Sequence, residues 1–184
     1  MSAVRIQLAT CEVRSWRAAD ADALVKYANN KRIWQNLRDR FPHPYTPRSA
    51  AEFLRSVVNV EPETAFAIDV GGEAVGGIGF VPHVDVDRQS AEIGYWLAEP
   101  FWGRGIVTDA LKAVTQFAID HADVTRIYAV PFASNAASCR VLEKAGYVLE
   151  ARLRRSAIKE GVIIDQFQYA FIAPENPPPG GSRG

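Results

Sequence analysis

The sequence predicts a mixed α/β (α+β) fold, a largely antiparallel central sheet of about seven strands with helices on both faces. Three observations carry this. Short runs rich in β-branched and aromatic residues, bounded by turn residues, crowd both ends of the chain. Between them, residues 106–122 form an apolar stripe of helical period. The 184 residues, 48% hydrophobic and 23% charged, suit one compact domain with a substantial core.

Each element has a local cause. Residues 11–16 (Cys-Glu-Val-Arg-Ser-Trp) alternate as a first strand. Asp20 is placed to cap a helix running to about Ala28. Residues 29–46 read as irregular and include Phe41-Pro-His43-Pro-Tyr45. Thr46 followed by Pro47 is an N-cap and a first helical position, opening a helix through about Val58. Residues 64–70 and 73–84 are two strands joined at Gly71-Gly72, a hairpin turn. A polar loop, 85–90, leads to the strand 91–97. In the following helix Val107, Leu111, Val114 and Ala118 share one stripe, the pattern of a helix packed on a sheet. Residues 126–130 form a short strand. Residues 135–145 form a helix stopped by Gly146. Residues 147–151 and 163–172, around a Lys159-Glu160-Gly161 turn, supply the last strands. Residues 1–173 thus make a single domain. The Pro/Gly-rich tail, 174–184, has too little apolar surface to pack and is expected to be disordered.

Composition narrows the function. Lys plus Arg (21) equals Asp plus Glu (21), so no global field steers the chain toward nucleic acid or an anionic membrane. The basic clusters Arg38/Arg40 and Arg152/Arg154/Arg155 fit solvated faces. Two cysteines, Cys11 and Cys139, make no disulfide framework, and with three scattered histidines no metal site is expected. No apolar run approaches the ~20 residues that span a bilayer, and no signal pattern opens the chain, so a cytoplasmic protein is expected.

The most informative stretch is Glu-Ile-Gly-Tyr-Trp-Leu-Ala-Glu-Pro-Phe-Trp-Gly-Arg-Gly at 92–105. A strand enters a loop with two glycines one residue apart, and a helix starts at once. The first amides of a helix lack partners and carry partial positive charge, so this turn is built for a phosphate-bearing ligand. Gly103 and Gly105 let phosphate oxygens approach the main chain. A dinucleotide is disfavoured because Thr108 stands where Gly-x-Gly-x-x-Gly needs its third glycine, and the loop follows antiparallel strands. A P-loop is excluded, since no Gly-Lys-Ser/Thr follows.

Tyr95-Trp96-Leu97 with Phe101-Trp102-Gly103-Arg104-Gly105-Ile106-Val107-Thr108 resembles the acetyl-CoA pyrophosphate loop of the GNAT N-acetyltransferase superfamily. Thirty residues on, Asn135-Ala-Ala-Ser138-Cys139-Arg140-Val-Leu142-Glu143-Lys144-Ala-Gly146-Tyr147 is similar to that family's second cofactor motif. Phe41-Pro-His43-Pro-Tyr45 and the closing Lys159-Glu-Gly161, Asp165-Gln166 and Tyr169 point to the RimJ/RimL-like branch, the ribosomal-protein alanine N-acetyltransferases. The resemblance implies a sheet splayed after its fourth strand, with pantetheine entering the gap. It implies main-chain contacts to pantetheine from Trp96, Leu97 and Ala98. The pyrophosphate falls to Gly103, Arg104, Gly105, Ile106, Val107 and Thr108, with Asn135, Ser138 and Arg140 completing the coenzyme A site. Asn135 is equally a favoured N-cap, and both roles are compatible.

If acetyl-CoA is the donor, a neutral amine attacks its thioester. The backbone N–H near Leu97 is the expected oxyanion donor, worth roughly 3–4 kcal/mol when preorganised. An α-amino group near pKa 8 costs only ~1.4 kcal/mol to deprotonate at pH 7, a lysine near 10.4 costs ~4.6. A carboxylate acting through water suffices for the former, and Glu92 is the candidate; its alternative role is to organise nearby loops. The resemblance implies that many relatives carry a tyrosine at the position of Leu142, and leucine cannot donate a proton. Ser138, one turn earlier, is the expected partner of the leaving thiolate, or else a first-turn serine bonded to the backbone. Cys139 reads as buried filler and Tyr147 as a core aromatic. The acceptor pocket is expected from Leu37, Asp39, Arg40, Phe41, His43 and Tyr45, with His43 between prolines also fitting a turn. A protein N-terminal amine is the leading acceptor; a polyamine, amino acid or antibiotic is the alternative, and a non-catalytic acyl-CoA-binding module is the rival. Monomer and homodimer both remain open.

Overall fold

The computed structural model describes residues 3–174. Its strands are β1 (Arg5–Gln7), β2 (Glu12–Ser15), β3 (Ala65–Val70), β4 (Glu73–Pro82), β5 (Ser90–Leu97), β6 (Arg126–Ala129), β7 (Val148–Lys159) and β8 (Val162–Ile172). They form one eight-stranded sheet in the order β1-β2-β3-β4-β5-β6-β8-β7. Every neighbouring pair is antiparallel except β5–β6. The strand beyond the seven expected is β1, three residues and too short to show a period.

The helices are α1 (Ala21–Ala28), α2 (Lys31–Trp34), α3 (Pro47–Val57), α4 (Ile106–His121) and α5 (Ala136–Lys144). α2 forms inside the stretch read as irregular; the Asn30 side chain accepts from the Arg32 amide and starts it. α3 begins as predicted, with Thr46 accepting from the Ser49 amide and Pro47 in the first turn. Asp20 does precede α1, but its carboxylate makes no cap. It binds Arg14 and the Arg17 amide instead. All of the tail 174–184 except Pro174 lies outside the described residues.

Strand alternation sorts the side chains into two layers. Phe66, Ile68, Ile78, Phe80 and Ile93 face α4, where Ala110, Leu111, Val114 and Ala118 close the main core. Trp16, Ala67 and Ala74 face the other way, against Leu24, Ala28, Ala50 and Leu54 of α1 and α3. Fully burying each large aliphatic contributes about 1.5–3 kcal/mol, so both layers are strongly held.

Arg14 is the most deeply buried charged side chain among the described residues, 2% exposed. Its Nε donates to Asp69 at 2.8 Å, and Nη1 and Nη2 donate to the two oxygens of Asp20 at 2.8 Å each. Asp69 also accepts the Gly72 amide at 2.7 Å, which ties the β3–β4 turn to the same cation. Removing the guanidinium would strand two buried carboxylates. Arg14→Ala is therefore expected to cost about 3–5 kcal/mol of stability, read as a lowered urea midpoint. A loss below ~1 kcal/mol, the range of an exposed ion pair, would show that the pair is solvated in solution.

Candidate active site

The parallel pairing of β5 and β6 is short: only Ser90–Glu92 lie beside Arg126–Tyr128. β5 then continues to Leu97 along β4, while β6 ends at Ala129 and pairs with β8 on its far side. The gap opens into a cleft of about 480 Å³ that runs from Arg38 and Glu92, past Tyr95 and Ser138, to the loop before α4.

At the loop end, the main chain supplies the chemistry. Gly103 (φ +74°) and Gly105 (φ +80°) are left-handed, a conformation that glycine adopts freely and other residues rarely. A Cβ at either would meet nothing within 4 Å, so the backbone here faces open space. The first helical bond of α4 runs from the Asp109 amide to the Gly105 carbonyl at 3.1 Å. The amides of residues 103–108 thus have no protein acceptor among the described residues. Arg104, Arg140 and Lys144 line the same cleft. Unpaired amides at a helix start, open backbone and flanking cations fit the pyrophosphate of coenzyme A.

Along β5, Ala98 donates its amide to Val75 at 2.8 Å. In an antiparallel ladder such bonds alternate, so the register places the Trp96 amide on β4 too, and aims the Tyr95 and Leu97 amides into the gap. Ala98 also gives its carbonyl to Phe101. The amides on the gap side of β5 therefore belong to Tyr95 and Leu97, whereas those of Trp96 and Ala98, expected to meet pantetheine, are turned to β4. The Leu97 carbonyl is itself taken by Trp102 Nε1 at 2.7 Å. Trp96 instead presents its ring to the cleft, packed against Phe41.

From the α5 side, Asn135 caps the helix by accepting from the Ser138 amide at 3.1 Å, and it lines the cleft as well. Ser138 Oγ lies 2.8 Å from the Tyr95 hydroxyl. Tyr95 was not singled out from the sequence. Burial pushes its phenol well above the ordinary range, so it stays protonated and can donate. Leu142 is fully buried, and Tyr147 holds Thr115 Oγ1 at 2.6 Å within the core, its hydroxyl pushed up to about 12 by burial. Cys139 is buried, and desolvation raises its thiol away from the reactive thiolate.

The acceptor end differs from the sequence expectation. Leu37 lines the cleft, together with Arg32, Asn36 and Arg38. Asp39, Arg40, His43 and Tyr45 do not. Asp39 accepts from Lys159 at 2.8 Å, His43 stacks on Trp34, and Tyr45 is buried between α1 and α3 residues with its hydroxyl pushed up to about 12 by desolvation. Phe41 backs Trp96 and Tyr45 rather than facing the cleft. The reason is Lys159, 6% exposed at the end of β7: its ammonium also donates to the Leu37 carbonyl at 2.9 Å and sits 3.6 Å from the Trp34 ring centre. That anchor turns residues 39–45 outward and leaves 32–38 on the cleft. Glu92, with its side chain 31% exposed, is ion-paired to Arg38.

Comparison with known proteins agrees with this geometry. The family model described as the acetyltransferase (GNAT) domain matches residues 11–148. The ribosomal-protein-serine acetyltransferase of Escherichia coli is 30% identical over 107 residues, 58% of this chain and 59% of that protein. Several Bacillus relatives match over about half their length. Among solved structures, RimL, a ribosomal L7/L12 alpha-N-protein acetyltransferase in complex with coenzyme A, superposes with a TM-score of 0.81 at 23% identity, covering 92% of this chain and 98% of that one. The microcin C7 self-immunity acetyltransferase MccE, in complex with acetyl-CoA and AMP, gives 0.78 at 24% identity, covering 90% and 93%. The chain belongs to the GNAT acetyltransferase family, whose members use acetyl-CoA.

Gly105→Glu tests the loop. A side chain forced to φ +80° and a carboxylate among the phosphate-facing amides should weaken acetyl-CoA binding at least about a hundredfold, about 2.7 kcal/mol, in a calorimetric titration. Unchanged affinity in a folded variant would move the phosphate site elsewhere.

Proposed function

We propose that the protein transfers an acetyl group from acetyl-CoA directly to a primary amine, with a protein N-terminal amino group as the acceptor. The observation that carries this reading is the continuity of one cleft. Unpaired amides at its α4 end suit a pyrophosphate, and an accessible carboxylate at its other end suits an amine. Acetyl-CoA supplies the activated acyl group, and this chain's residues do the rest.

The amine nitrogen bonds to the acyl carbon, and the carbon–sulfur bond breaks. Negative charge developing on the acyl oxygen is met by the Leu97 amide, which faces the gap. The ammonium proton must leave first. Arg38 engages only one Glu92 oxygen, so the other is available to take that proton through a water. The departing thiolate is met by Ser138 Oγ, and the extra proton on the nitrogen of the tetrahedral adduct passes to the sulfur as the carbon–sulfur bond breaks, relayed along the Ser138 Oγ–Tyr95 hydroxyl hydrogen bond so that neither side chain is left charged. This pairing supplies what leucine at 142 cannot. No covalent enzyme intermediate is needed, in keeping with the buried, protonated Cys139.

An N-terminal amine suits the modest machinery, because deprotonating it costs ~1.4 kcal/mol at pH 7 against ~4.6 for lysine. The acceptor end is also open, with Arg38 52% and Glu92 31% exposed, and its acids are paired with arginines. A polyamine site would present unpaired acids in an enclosed pocket. The names of the E. coli relative and of RimL favour ribosomal-protein termini, whereas MccE keeps a small amine as the second reading.

The test is acetyl transfer to peptides with free N-termini. Hydrogen bonds to charged groups are worth about 1.5–3 kcal/mol. Ser138→Ala and Tyr95→Phe should therefore each lower kcat by roughly ten- to hundredfold, and acetyl-CoA affinity should hold within about twofold. Glu92→Gln should lower kcat and shift the pH–rate profile upward, since the amine must then lose its proton to solvent. Parent-like turnover in all three would remove these side chains from the chemistry.

A further inference from the structure

We infer that Arg38 selects the acceptor: the preferred substrate is an N-terminal amine followed by an acidic residue. The inference rests on the amine-acetylation reading above and adds what lies next to the amine.

Charged side chains around the acceptor end are held in unequal ways. Glu99 is bonded by both Arg32 and Asn30. Lys159 is bound by a carbonyl, a carboxylate and an aromatic face, with little exposure. Arg38 is different: the single hydrogen-bond partner of its guanidinium among the described residues is Glu92, its side chain is half exposed, and no aromatic face holds it as the Trp102 ring holds Arg32. Its backbone, by contrast, is pinned, because Lys159 grips the Leu37 carbonyl on one side and the Asp39 carboxylate on the other. The guanidinium is thus a loosely held cation on a fixed mount at the mouth of the cleft.

Glu92 is the carboxylate that an incoming ammonium must approach. As the substrate arrives, two cations compete for one acid, and the displaced guanidinium is left beside a like charge. Like charges at close range raise the energy of the bound state. A carboxylate one residue from the amine removes this penalty: it takes Arg38, ideally with a bidentate fork, while the amine takes Glu92. A second-position lysine adds a third cation and is rejected. Arg38 is in this sense a specificity-determining residue.

Three peptides identical after position two, beginning Ser-Asp, Ser-Ala and Ser-Lys, test this with acetyl-CoA at saturation, and free serine is a fourth acceptor. The expected result is a kcat/KM for Ser-Asp at least about tenfold above Ser-Lys, with Ser-Ala between. Arg38→Glu should invert that order and Arg38→Gln should flatten it. A flat series with the parent protein, or an order that survives in Arg38→Glu, overturns the inference while leaving acetyl transfer intact. Free serine outrunning the Ser-Asp peptide overturns the peptide source, since its α-carboxylate would then be the matching anion. Acetyl-CoA binding with no transfer to any of the four overturns both this inference and the proposed reaction.

Discussion

Everything the site does depends on how briefly β5 and β6 touch. Three residue pairs join the two halves of the sheet in parallel, and beyond them β5 follows β4 while β6 follows β8. Both departures have local causes. β6 is only four residues long and runs into Val130 and Pro131, the latter lacking an amide for a ladder. β5 is drawn toward β4 by glycines: a Cβ at Gly76 would lie 2.5 Å from the Trp96 carbonyl, and one at Gly77 would lie 2.8 Å from the Trp96 ring. Close approach on one edge leaves the other edge of β5 unpaired. Unpaired strand amides are costly when dry, so the gap is a standing demand for a partner. An amide-bearing arm such as pantetheine would answer it, as a missing strand would.

Two buried cations illustrate how the same chemistry serves different ends. Arg14 is enclosed by Asp20 and Asp69 and fixes β2, β3 and the start of α1 to one another. It touches no part of the cleft. Lys159 comes from the last hairpin and reaches a segment some 120 residues earlier in the chain. Its partners are a backbone carbonyl, an exposed aspartate and a tryptophan face. Such an anchor sets loop position more than it adds stability, because a half-solvated pair is worth little by itself. The acceptor end is therefore shaped by the final strands although none of its polar side chains belongs to them.

That separation explains what could be read from the sequence. α4, the Thr46-Pro47 start of α3, the Asn135 cap and the Gly71-Gly72 and Glu160-Gly161 turns were all legible, because each is fixed by neighbours within a few residues. So was the Gly103-Arg104-Gly105 turn, whose left-handed glycines and unpaired amides belong to one short segment. The acceptor residues were not. Residues 37–45 look uniformly like a specificity loop, and contacts to other parts of the chain sort them: Lys159 holds Leu37 and Asp39, Trp34 stacks on His43, and Asn29 and the second core hold Tyr45 away from the cleft. Tyr95 was missed because its partner, Ser138, is 43 residues distant, although an alternating strand carrying Glu92 and entering the loop already placed it on the opposite face. β7 proved more than twice the expected length. Its bulges near Leu149 and Leu153, and Arg155 at φ +53°, break the alternation that reveals a strand.

The cleft divides its labour by atom type. At the α4 end, recognition would come from backbone amides that exist for any residue, provided Gly103 and Gly105 keep their left-handed turns. At the proposed acceptor end, recognition would come from side chains, one paired acid and one half-exposed arginine. A main-chain cradle tolerates sequence drift because it needs only a backbone shape, and the fold is shared with RimL at 23% identity. A side-chain pair has no such protection: in the proposed reaction, exchanging one charge would redraw which amines are welcome while the donor site stayed intact. On the proposed reaction the donor would be specified by fold and the acceptor by a handful of side chains, so the first is legible from a motif and the second only from contacts between distant residues.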